Sequence, residues 1–82
     1  MGYHKRKITK GVFGDSSKIL EEVEELIDSE EQKAKIMVLN ELSDIVGAIR
    51  GYLDKQHPSI TLVDLIKMAD LTKSSFEDGE RS

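Results

Sequence analysis

The chain of 82 residues reads as a single all-α domain. Three observations predict it. Apolar residues recur at helical spacing in three segments, no segment alternates with the period of a strand, and capping patterns and Pro58 frame the segments. The expected architecture is a helical hairpin plus a third helix; so short a chain buries only about 60% of its unfolded surface, and such chains often gain core by self-association.

Residues 1–14 read as a basic N-terminal arm, with HKRKITK at 4–10 and Gly11 and Gly14 as breakers. Asp15, Ser16 and Ser17 are candidate N-caps for a first helix over about 17–28, whose Ile19, Leu20, Val23, Leu26 and Ile27 share one face. Ser29 with Gln32 matches a capping box, so a second helix is expected from Ser29 to about Asp54. Lys55 and His57 suit its C-terminal end, and Pro58 stops it. A third helix is framed by Thr61 and Asp64 as N-cap and N3, with Leu62, Leu65, Ile66, Ala69 and Phe76 as its expected buried stripe. The helical domain is thus 15–76, and 77–82 reads as a mobile tail.

Composition excludes several classes. There is no cysteine, hence neither a disulfide framework nor a thiolate metal site. The two histidines lack the i, i+4 pairing of a helical metal site, and GVFGDSS lacks the lysine and serine that end a P-loop. No apolar run is long enough to span a bilayer, and the start lacks a signal peptide's apolar stretch, so a cytoplasmic location is expected. The net charge of −4 combines the basic arm with seven acids between 21 and 31 (Glu21, Glu22, Glu24, Glu25, Asp28, Glu30 and Glu31). An acidic body makes nucleic acid an unexpected partner.

Those acids carry the functional argument. Glu22 and Glu25 are three residues apart, Glu21 and Glu25 four, and either spacing brings side chains together on a helix. Glu41 and Asp44 repeat the three-residue spacing, and Glu41 points into the apolar arc formed by Leu39, Leu42, Ile45, Val46, Ile49, Tyr52 and Leu53. A buried carboxylate needs a partner. In an antiparallel hairpin the two sets can face each other, an arrangement that suits the oxygen shell of Mg²⁺ or Mn²⁺. A solvated acidic face explains residues 21–25 taken alone, but it explains Glu41 badly.

EEVEE followed, after 15 residues, by ELSD resembles the EExxE…ExxD signature of the MazG-like all-α nucleoside triphosphate pyrophosphohydrolases. The flanks KILEEVEEL and VLNELSDIVGAI are similar to short MazG-like proteins carried by bacteriophages. The resemblance covers roughly residues 14–80. It implies hydrolysis of an NTP or dNTP to the monophosphate and pyrophosphate by a homodimer or homotetramer. It also implies a four-helix-type bundle completed by oligomerisation, and Mg²⁺, with Mn²⁺ as a substitute, held by Glu22, Glu25, Glu41 and Asp44, with Glu21 a further ligand, a second-metal ligand or a base for water. A neighbouring free carboxylate, Glu21 or Glu25, is the candidate acceptor of the attacking water's proton.

Lys18, Asn40, Lys73 and Arg81 are the candidate substrate contacts. Lys73 lines up with the apolar stripe of the third helix, where it could reach phosphate or Glu41. Gly47 and Gly51 suggest close packing, and Tyr3 to Lys7 could fold over a nucleotide. Two rival readings are a non-catalytic helical module that binds nucleotide or metal, and a basic-armed nucleic-acid accessory protein.

Overall fold

The computed structural model describes residues 7–77, with side chains described for 7–73. Three α-helices follow one another, α1 (Ser16–Glu31), α2 (Lys35–Gln56) and α3 (Leu62–Glu77), and there are no strands among the described residues. α1 and α2 pack along each other. α3 touches α2 lightly and does not approach α1. Of the arm, only residues 7–14 fall within the described residues, and the tail beyond Glu77 lies outside them.

The turn between α1 and α2 is not where the capping-box pattern puts it. Ser29 lies inside α1, and the Gln32 side-chain amide donates to Asp28 Oδ2 at 2.8 Å instead of capping a following helix. The chain leaves α1 through a Schellman motif: the Ala34 N–H donates to Ser29 O at 3.1 Å and the Lys33 N–H to Glu30 O at 3.0 Å. Lys33 occupies the left-handed position at φ 58°, where glycine would be strain-free. α2 therefore starts at Lys35 behind Ala34, which has no capping side chain.

The other helix ends follow their residues more closely. Asp15 stands at the N-cap position of α1 but its side chain makes no cap; it accepts from Lys55 Nζ at 2.8 Å, joining the start of α1 to the end of α2. α2 ends at Gln56, and the His57 N–H closes the last turn on Leu53 O. At α3 the Thr61 hydroxyl accepts from the Asp64 N–H at 3.1 Å, and the Asp64 carboxylate accepts from the Thr61 N–H at 3.0 Å.

Residues 12–15 turn back onto the hairpin, the Asp15 N–H donating to Val12 O. Gly14 is buried at φ +96°, in van der Waals range of the Lys55 stem. The Phe13 ring lies directly on the backbone of Gly51, in the space a Cβ would take. Gly51 thus serves close packing within the chain, whereas a Cβ at Gly47 would meet nothing within 4 Å.

Burial departs most from expectation. Among the described residues only Ala48 (2% exposed) and Leu53 (7%) are buried hydrophobic residues. The face that α1 turns inward carries Glu21, Glu22, Asp28 and Ser29, while Leu20 and Ile27 of the expected core stripe are exposed. On α2, Leu39, Leu42 and Val46 are exposed; on α3, Ile66 and Ala69 are exposed and Leu62 and Leu65 only half-buried. The Phe76 side chain lies outside the described ones. The helical periodicity is real, but the described residues leave much of the apolar side uncovered.

Candidate metal centre

The inward face of the hairpin gathers five carboxylates into two overlapping groups. Oxygens of Glu21, Glu22 and Glu25 lie within 4.8 Å of one another, and so do oxygens of Glu22, Glu41 and Asp44. Glu22 belongs to both and so links the helices. The spacing accounts for this: three- and four-residue intervals align the acids on α1, a three-residue interval aligns the pair on α2, and the short turn sets the helices side by side.

Glu22 and Glu41 are each only 5% exposed, and Glu21 only 3%. Asp44 is exposed at the edge, which gives the cluster a solvent side. Glu22 Oε2 receives Lys18 Nζ at 3.0 Å, but Glu22 Oε1 is buried without a hydrogen-bond partner. A buried carboxylate oxygen left without a donor is costly. It marks a place where a ligand of positive charge would be stabilised.

The acids of α1 differ in their surroundings. Glu21 Oε1 accepts from the Gly11 backbone N–H at 2.8 Å and from Lys18 Nζ at 3.2 Å, and Lys10 Nζ stands 4.0 Å from Oε2. Burial alone would raise the pKa of Glu21, but the Gly11 amide and Lys18 outweigh it and hold the carboxyl below its usual range. Glu25 is pushed the other way, up to about 7, first by burial, then by the charge of Glu22, then by hydrogen bonding and charge from Glu41. Lys18 is held more firmly protonated than usual, chiefly by its hydrogen bond to Glu22.

The substrate candidates are scattered. Lys18 joins the cluster. Asn40 is exposed on α2 beside Glu41. Lys73 does not enter a core face: it is exposed on α3, the helix that stays away from α1. Arg81, like Tyr3 to Arg6, lies outside the described residues.

Sequence reasoning missed two contributors, Lys10 and the Gly11 amide, because a fold-back of ten residues onto Glu21 leaves no mark in spacing. It also missed Asp28 and Ser29, which continue the polar inward face at 1% and 0% exposure. Their three- and four-residue intervals from Glu25 were the available signal.

The chain matches no family, no curated protein and no solved structure with which it was compared. No helix among the described residues is long and apolar enough to cross a membrane.

Proposed function

We propose that this chain is a divalent-cation-dependent nucleoside triphosphate pyrophosphohydrolase of the MazG-like all-α type. In this reading it converts an NTP or dNTP to the monophosphate and pyrophosphate. The observation that carries the proposal is a pair of three-carboxylate groups, drawn from two helices and sharing Glu22, whose buried Oε1 has no hydrogen-bond partner. All-oxygen donors of this kind fit Mg²⁺ or Mn²⁺.

Glu22, Glu25, Glu41 and Asp44 are the residues that would hold the cation. When bound, it would neutralise triphosphate charge and acidify a water. Glu21, which the Gly11 amide and Lys18 hold ionised, or Glu25, where it is not drawn onto the cation, would accept a proton from that water. Lys18 supplies positive charge beside the phosphate position.

Assembly belongs to the same proposal. Among the described residues thirteen large hydrophobic side chains are exposed, including Leu20 and Ile27 on one face of α1 and Leu39, Leu42 and Val46 on one face of α2. A homodimer or homotetramer would cover these faces and supply walls for a nucleotide pocket.

The test is product analysis after incubation with each NTP and dNTP and Mg²⁺, beside Glu41→Gln. Wild type should release monophosphate and pyrophosphate. The variant should lose more than the roughly 10–100-fold that removal of an outer metal partner costs. A folded, oligomeric wild type that turns over no nucleotide would sink the hydrolase reading in favour of a binding module. Polynucleotide binding that falls steeply with salt and requires residues 4–10 would favour the accessory-protein reading.

A further inference from the structure

Lys18 is held in an unusual way for a surface lysine. Its side chain is only 27% exposed, and its ammonium bridges two buried carboxylates, Glu21 Oε1 at 3.2 Å and Glu22 Oε2 at 3.0 Å. Both acids belong to the first carboxylate group, and Glu22 also belongs to the second. The ammonium therefore sits where a divalent cation drawing on Glu22 would concentrate its own charge. The other oxygen of the same carboxylate, Glu22 Oε1, has no hydrogen-bond partner. Lys18, with exposed Lys10 4.0 Å from Glu21 Oε2, covers only part of a site that carries five carboxyl groups.

We propose that Lys18 is a built-in counter-cation, which stabilises the carboxylate cluster without metal and gives up its place to the divalent cation. This rests on the metal reading above and adds to it a competition between ammonium and metal. The physical reason is charge. A lysine offers a single, point-like charge on a flexible stem, so it can neutralise the cluster and still move away. Once released, the ammonium remains tethered one helical turn from Glu21 and Glu22, within reach of phosphate oxygens brought by the metal. The same residue then guards the empty cluster against self-repulsion and later contributes to triphosphate binding.

The test uses the full chain, with Mn²⁺ alone as the probe, followed by isothermal titration at about pH 8, above the titration of Glu25 at about 7. Wild type, Lys18→Gln and Lys18→Arg are compared, after circular dichroism has established that each is helical and melts cooperatively. Lys18→Gln should bind Mn²⁺ roughly tenfold more tightly than wild type, the gain expected from removing one charge-assisted competitor. Lys18→Arg keeps the charge and should stay near wild type. Without metal, Lys18→Gln should melt below wild type, and saturating Mn²⁺ should bring the two midpoints together. An α,β-methylene nucleoside triphosphate should bind the Mn²⁺-loaded Lys18→Gln protein more weakly than loaded wild type. Equal Mn²⁺ affinity in all three proteins, or weaker binding by Lys18→Gln, would overturn the proposal while leaving the metal centre intact. Absence of Mn²⁺ binding from all three folded proteins would remove the metal reading itself.

Discussion

Glu25 is flanked by Glu21 and Glu22 on its own helix and by Glu41 across the hairpin, and its carboxyl titrates near 7 because burial and those charges oppose its ionisation. The sign of the pH effect follows. A carboxyl whose pKa is higher in the folded chain than in the unfolded one binds its proton more tightly when folded. Its stabilising contribution is complete below the ordinary glutamate range near 4.5 and is lost as pH rises to about 7. Thermal melts of the metal-free protein should show the midpoint falling across that window, and Glu25→Gln should flatten the fall. Metal affinity should run the opposite way, rising with pH through 7, because the ligand must shed its proton. A metal-free midpoint that climbs from pH 5 to 7 in wild type and in Glu25→Gln alike would place Glu25 outside the cluster. This part of the site was legible: Glu41 stood out because its helical direction put an acid among apolar neighbours. What was not legible was how the acids differ, since the Gly11 amide that separates Glu21 from Glu25 arrives through the fold.

Among the elements, the α1–α2 turn shows how a local pattern can mislead. Ser29 and Gln32 have capping-box identities, yet both belong to the end of α1, and the true exit is a Schellman motif whose left-handed position holds lysine instead of glycine. Without that glycine the sequence carries no visible stop, and Ala34 gives no visible start. Thr61 and Asp64 did announce α3, because there the side chains make both reciprocal bonds. The turn yields a prediction. Lys33→Gly removes the cost of a side chain at φ 58° and should stabilise the protein by about 1 kcal/mol, less the extra freedom glycine gives the unfolded chain. Chemical denaturation at fixed protein concentration measures it, and a clear loss of stability would show that the Lys33 side chain makes a contact worth more than the strain.

At the largest scale, the imbalance among the described residues between two buried hydrophobic residues and thirteen exposed large ones is the dominant fact. Each large apolar side chain moved from water into a packed contact contributes about 1.5–3 kcal/mol. A face shared between subunits would therefore outweigh the apolar core of one chain. The unfolding midpoint should rise with protein concentration, and sedimentation should report a dimer or tetramer. Leu39→Lys combined with Val46→Lys should shift that assembly toward monomer and lower the midpoint. A wild-type monomer with a concentration-independent, cooperative melt would refute the assembly. The fold class was readable because periodicity marks helices whatever covers them. The location of the core was not, since periodicity says which residues share a face and not whether that face meets the same chain.

The hairpin is fastened at both of its ends. The covalent turn at 32–34 closes one, and the Phe13 ring on Gly51 with the Asp15–Lys55 pair closes the other. Glu22, Glu25, Glu41 and Asp44 lie between the two fastenings, near mid-span. Pinned at both ends, the two helices keep these carboxylates side by side at a spacing that the fold sets and no ligand is needed to impose, so a metal would bind with little rearrangement of the frame.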